Sequence, residues 1–228
     1  LNEDIPSWYK KKEDYLNSIN QKILDSVLND DKEQFVALIS NLISNDSDTN
    51  QLFHLTNYKL PSLLRNFPSY ASLCAFFGAE QCFLALTMLS PGGIESEIMR
   101  KEDMYERSLM HFACYGGNMN IIRELVQSNY DLDSKDIEGC TPSCYAAMSG
   151  NIDVIRYLWT KGASILINDF SNTPKPFDVA CLYGNLSIVK FIYETVCSTG
   201  DLEETKKNRM LLFRNSYFAN TPFHLACV

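Results

Sequence analysis

Apolar positions along this chain follow two rhythms, one local and one long. In the first 45 residues, Trp8, Tyr15, Ile19, Ile23 and Val27 recur at helical spacing, and Phe35, Leu38, Ile39 and Leu42 do so again. Each set falls on one face of a helix, so two helices are predicted within residues 1 to about 50. Pro6-Ser7 suits the start of the first. Asn29-Asp30-Asp31 breaks the pattern and offers an N-cap for the second, and Asn45-Asp46-Ser47-Asp48 ends it.

The long rhythm begins near residue 103. Ser108-Leu-Met-His-Phe-Ala113, Thr141-Pro-Ser-Cys-Tyr-Ala146 and Lys175-Pro-Phe-Asp-Val-Ala180 align on one alanine. A Gly-Asn pair follows each: Gly117-Asn118, Gly150-Asn151 and Gly184-Asn185. Paired apolar residues come next, Ile121-Ile122, Val154-Ile155 and Ile188-Val189. The glycines are 33 and then 34 residues apart. Such a period marks stacked units, each too small to bury its apolar face alone. Thr141-Pro142 predicts a helix start, with the Thr hydroxyl as cap and Pro in the first turn. The alanines should sit where helices touch, and the glycines should end the first helix of each unit in a left-handed conformation. Asp103-Met-Tyr-Glu106 and Asp136-Ile-Glu-Gly139 should be protruding β-turns.

On either side the pattern loosens. Residues 51–66 read as short helices split by Pro61. Pro68 should lie near the first position of a helix, with Gly78 as the unit's glycine and Cys82, Phe83 and Leu86 on its second helix. About six extra residues follow, from Ser90-Pro-Gly-Gly93 onward, as a surface loop. After Thr195 an insert runs through Cys197 to Met210, and Thr221-Pro-Phe-His-Leu-Ala226 restarts the motif.

Period and motif together resemble ankyrin repeats, strongly over residues 103–228 and weakly over 61–102. The leader with Pro68-Ser-Tyr-Ala-Ser-Leu-Cys-Ala-Phe-Phe-Gly78 looks like the interrupted ankyrin arrays expanded in some protists. The resemblance implies an all-α solenoid of helix-turn-helix units with short β-turns. Its expected organisation is a helical N-terminal cap over 1–50, degenerate ankyrin-like repeats over 51–102, and repeats over 103–228, with an insertion near 196–215 and a truncated last repeat. The first two helices are expected to cover the apolar flank of the first repeat; a separate interaction module is the rival. In the family a His bridges neighbouring turns. His111 and His224 hold that place, but Cys144 and Asp178 replace it elsewhere, so the network is expected to be interrupted.

Family members bind other proteins on a concave face lined by turn tips and first helices. Carried over by position, that face would hold Met104, Tyr105, Arg107 and Tyr115, then Ile137, Glu138, Cys140 and Met148. Phe170, Leu182 and Tyr183 follow, and last Tyr217 and Phe218. Tyr, Met and Arg are enriched at interfaces.

Composition narrows the partner. The net charge of −8 and pI near 4.9 disfavour nucleic acid. The most apolar window, residues 72–89, contains Glu80 and Gln81, so a core helix pair is expected there rather than a membrane span. No signal peptide is visible at the start. Cys114, Cys181 and Cys227 share one repeat position and suit a small apolar contact; equivalent positions in successive repeats lie about 10 Å apart on the helix-stacking scale, too far for disulfides. A reducing, intracellular compartment is expected.

Candidate chemistry is sparse. Cys140 and Cys144 form a CxxxC pair without two further ligands nearby, and read as thiols of the core or surface. His111 and Cys114 both occupy packing positions. Asp133, Asp136 and Glu138 lack calcium-loop spacing. No phosphate loop, HExxH or nucleophile elbow is present. The expectation is therefore a non-catalytic, monomeric scaffold without a cofactor that binds another protein. The alternatives are a targeting or regulatory arm of a larger enzyme, or a membrane-skeleton linker.

Overall fold

Amphipathic spacing and glycine stops become helices in the computed structural model, which describes residues 7–45, 61–66, 68–165 and 173–198. The chain divides into two units, residues 1–104 and 105–228. Among the described residues both are helical, without a β-strand.

In the first unit, α1 (Ser7–Leu28) and α2 (Lys32–Asn45) are the two helices expected. Ile23, Val27, Phe35 and Ile39 are buried, whereas Ile19, Leu38 and Leu42 are half-buried. The side chains of Trp8 and Tyr15 lie outside the described set. Asp31 caps α2 by accepting the Gln34 N–H at 3.1 Å. Ahead of the next pair, residues 51–60 also fall outside the described residues, and Pro61 precedes a single 3-10 turn, Ser62–Leu64. The pair itself is α3 (Tyr70–Phe77) and α4 (Glu80–Leu89). Ser69 rather than Pro68 caps α3, its hydroxyl accepting the Ser72 N–H at 3.1 Å, and Pro68 lies one residue before the cap. Gly78 ends α3 at φ 69°.

Helix α1 packs on α3 and α2 on α4. The Tyr70 hydroxyl donates to Asn20 Oδ1 at 2.9 Å in the interior, tying α3 to α1. Helix α4 has Ala79 where a cap belongs, and alanine has no oxygen to offer. Asp30 supplies one from the α1–α2 turn. Its carboxylate accepts the Gln81 and Cys82 N–H groups at 3.1 and 3.0 Å, from a backbone at φ 49°. The six-residue excess is no simple loop. It forms a 3-10 turn, Gly93–Glu95, and a short helix α5 (Glu97–Arg100), and Met99 anchors it by complete burial.

Among its described residues the second unit stacks three helix pairs. These are α6 (Leu109–Gly116) with α7 (Met119–Gln127), α8 (Pro142–Ser149) with α9 (Ile152–Thr160), and α10 (Pro176–Leu182) with α11 (Leu186–Ser198). Helix α8 lies between α6 and α10. Ala113, Ala146 and Ala180 are buried at these contacts, where a larger side chain would overpack. The paired apolar residues of α7 and α9 are buried; of the last pair Ile188 is buried and Val189 half-buried.

The Gly-Asn pairs explain the register. Gly117 and Gly150 sit at φ 79° and 82°. The Asn151 amide reaches back to the preceding pair and donates to the Tyr115 carbonyl at 3.0 Å. Asn185 does the same to Ala147 at 2.7 Å. These carbonyls belong to the last turn of a helix, which lacks intrahelical donors. Any Cβ at Gly117 would stand 2.7 Å from the Asn151 amide, and one at Gly150 would stand 2.9 Å from Asn185 Oδ1. Glycine is therefore required twice over, by φ and by the clamp.

Candidate protein-interaction face

Helix starts in the second unit position the turn tips through a buried polar seam. Asp136 opens the tip Asp136–Gly139, closed by the Gly139 N–H donating to the Asp136 carbonyl at 2.8 Å. The Asp136 carboxylate accepts the N–H groups of Glu138 and Cys140 and the Tyr145 hydroxyl at 2.7 Å. Burial, reinforced by that carboxylate, pushes the Tyr145 phenol well up. Asp133 accepts the N–H and hydroxyl of Ser164 in the following repeat. The carboxylates of Asp133 and Asp136 are thus occupied by protein donors. Among the described residues no cluster of three His, Cys, Asp or Glu is placed to hold a metal.

His111 is fully buried and crosses between repeats. Its Nδ1 accepts the Ser108 N–H at 3.0 Å, which leaves the Nε2–H to donate to the Cys140 carbonyl at 3.1 Å. The ring also meets Tyr145 edge-on at 5.1 Å. Burial lowers its pKa, so the neutral ring is favoured. The expected interruption of this network at Cys144 does not occur. The Cys144 thiol donates to the Pro174 carbonyl at 3.5 Å. Pro174 precedes the cap of α10 as Cys140 precedes that of α8. A thiol, though a weak donor, spans the same gap as the imidazole.

Thr141 differs from expectation. It occupies the cap position before Pro142, but its hydroxyl makes no cap bond and lies 3.6 Å from Cys144 Sγ. The hydroxyl joins the Cys144 link instead. The Cys140 thiol is also in this interior; its hydrogen bond with Cys144 and its burial hold it protonated. Cys114 is fully buried, and burial pushes its thiol up as well. His111 and Cys114 therefore stand as packing residues.

The sequence-predicted site residues separate by exposure. Tyr105, Ile137, Glu138 and Tyr183 are exposed. Tyr115, Met148 and Leu182 are half-buried at equivalent positions of α6, α8 and α10. Met104 is exposed as the last residue of the first unit. Arg107 and Cys140 do not stand on the surface. Arg107 is 3% exposed, with its guanidinium 5.4 Å from the Tyr105 ring centroid and 5.0 Å from that of Phe112. Stacking on two rings draws the cation inward. Cys140 is drawn in by the seam around Asp136 and His111. Phe170, Tyr217 and Phe218 lie outside the described residues, as do the insert at 199–215 and Cys227.

Neighbouring tips are joined, since the Ile137 N–H donates to the Tyr105 carbonyl at 3.0 Å. Burial, followed by the neighbouring Tyr115, Cys140 and Glu138, raises the pKa of the Tyr183 phenol. Tyr183, Tyr115 and Glu138 therefore share one neighbourhood. Sequence reasoning missed Glu106, which is exposed at φ 57°. It occupies the tip position that Gly139 fills at φ 79°, and that alignment was its only signal.

A family model described as "Ankyrin repeats (3 copies)" matches residues 72–169 and again 109–203, together more than half of the chain. This chain belongs to the ankyrin-repeat family. Ankyrin arrays in general mediate protein–protein interaction, and the family is typically non-catalytic. "Putative E3 ubiquitin-protein ligase XBAT31" of Arabidopsis thaliana is 28% identical over 151 residues, 66% of this chain and 33% of that protein. "Ankyrin repeat and KH domain-containing protein mask-1" of Caenorhabditis elegans is 29% identical over 91 residues, 40% of this chain and 3% of that protein. The chain spans a third or less of the length of these curated relatives. Among the described residues of the ankyrin chain, no helix is long and apolar enough to cross a membrane.

Proposed function

We propose that this ankyrin array is a non-catalytic scaffold that binds a partner protein on its concave face, formed by the turn tips and first helices. The observation that carries the reading is a contrast within one set of elements. Tyr105, Ile137 and Tyr183 are 40%, 63% and 52% exposed, while the stacking residues beside them are buried. Large side chains left on a rigid scaffold, with Tyr115, Met148 and Leu182 at their edge, supply the anchors that interfaces use. The partner is a protein rather than nucleic acid, consistent with a net charge of −8. The six cysteines whose side chains are described are all free, which fits a reducing intracellular site.

Tyr115→Ala combined with Tyr183→Ala tests the reading. Proteins captured by immobilised residues 1–228 should be lost by the double variant, with the melting temperature unchanged. Unaltered capture by a folded double variant would remove the face from consideration. A second reading is favoured by one observation, that the chain matches a third of a protein named as a ubiquitin ligase. On it, the same face serves as the targeting arm of a larger enzyme.

A further inference from the structure

We infer that the turn-tip face receives a basic partner segment, with a lysine or arginine side chain held by Glu106 and Glu138 against the neighbouring aromatic rings. This rests on the proposed binding face and names the chemistry of its partner.

Three observations lead there. Glu106 and Glu138 are both exposed on tips joined through the Ile137 N–H and the Tyr105 carbonyl. Neither carboxylate is ion-paired among the described residues, although Lys135 stands at the base of the second tip. Second, Glu106 occupies a left-handed position that the next tip gives to Gly139. Glycine adopts that conformation freely, whereas glutamate is strained in it. The carboxylate is kept at the tip against local backbone preference, and strain of this kind clusters at binding sites. Third, Arg107, beside the same tip, is turned inward and sandwiched near Tyr105 and Phe112. Beside Lys135 and the Ile137 side chain, the exposed face presents the two carboxylates and the phenol rings of Tyr105 and Tyr183.

Carboxylates beside exposed rings complement an ammonium or guanidinium. A ring face attracts a cation within about 6 Å, a carboxylate pairs with arginine in bidentate fashion, and the net charge of −8 draws basic chains toward the surface. An acidic peptide would meet like charge at both tips.

The test is selection from a displayed library of random dodecapeptides on residues 1–228, followed by anisotropy with labelled winners. Enrichment of Lys and Arg over the input library is expected. Glu106→Gln with Glu138→Gln should weaken binding at least tenfold and flatten its salt dependence. Glu106→Gly, which relieves the backbone strain while removing one carboxylate, should also weaken it. Glu124→Gln, an exposed substitution on α7, should change nothing. Thermal melts of each variant verify the fold. A winning set without basic excess, no retained peptide, or equal affinity for the double Gln variant would overturn the inference. Neutral or acidic winners that depend on Tyr183 would overturn the basic partner and leave the face standing. Basic winners indifferent to both Tyr183→Ala and the Gln pair would remove the face itself.

Discussion

The helix pairs α3–α4 and α6–α7 face the same local problem and meet it differently. Both second helices begin two residues after a left-handed glycine and need an acceptor for their first N–H groups. Helix α7 carries its own, because Asn118 accepts the Asn120 and Ile121 N–H groups at 2.9 and 3.3 Å. Helix α4 has Ala79 there and borrows Asp30 from about fifty residues earlier. The need is set by helix geometry, but its source can be local or remote. A repeat that carries its cap is self-sufficient at this point. The pair in the first unit depends on the leader helices for both packing and capping.

The largest effect should come from breaking the repeat seam. Gly150→Val forces a branched residue to φ 82° and drives a Cβ into the Asn185 clamp. A loss of about 2–3 kcal/mol is expected from left-handed strain plus a displaced hydrogen bond, read as a lower urea midpoint. Next comes the borrowed cap. Asp30→Ala should cost about 1–2 kcal/mol, within the range for losing a cap. Adding Ala79→Ser should recover part of it by giving α4 a local acceptor. No recovery would show that Asp30 acts mainly through the α1–α2 turn.

Acid should separate the regions further. His111 is held below its ordinary pKa by burial, so the unfolded chain binds the proton more tightly. Stability then rises with pH, and is lost as pH falls below about 6.5, the ordinary histidine value. Comparing denaturation midpoints at pH 7.5 and 5.5 should show a drop that His111→Gln reduces. The smallest effect has the opposite sign. Glu106→Gly should stabilise by about 0.5–1 kcal/mol, since glycine suits φ 57° but loosens the unfolded chain. A loss of stability would mean that the glutamate side chain supports the tip.

Much of this fold is legible in the sequence because its determinants are periodic. Ala113, Ala146 and Ala180 mark helix contacts, and Gly117, Gly150 and Gly184 mark helix ends, each repeating at a nearly fixed distance. Asp30 has no such signal. Its partners lie on α4, and no local pattern connects them. Exposure at the turn tips was legible by position and less so by orientation. Tyr105, Ile137 and Tyr183 are exposed, whereas Arg107 follows its aromatic neighbours inward and Cys140 follows the Asp136 seam. Cys144 shows why residue identity alone misleads: a cysteine in a histidine's place keeps the inter-repeat link because its thiol reaches the same backbone carbonyl.

The asparagine clamp gives the array a direction. Asn151 and Asn185 each plug into the helix end of the repeat before, beside a glycine socket shaped to admit them. A block cut at equivalent points therefore carries one plug and one socket, and so does every copy of it. Tandem duplication of whole blocks would join without inventing a new junction, whereas a gain or loss of half a block would leave a plug or a socket unmatched. Copy number can thus vary in evolution by steps of about thirty-three residues, while sequence between the junctions is free to diversify its exposed tips.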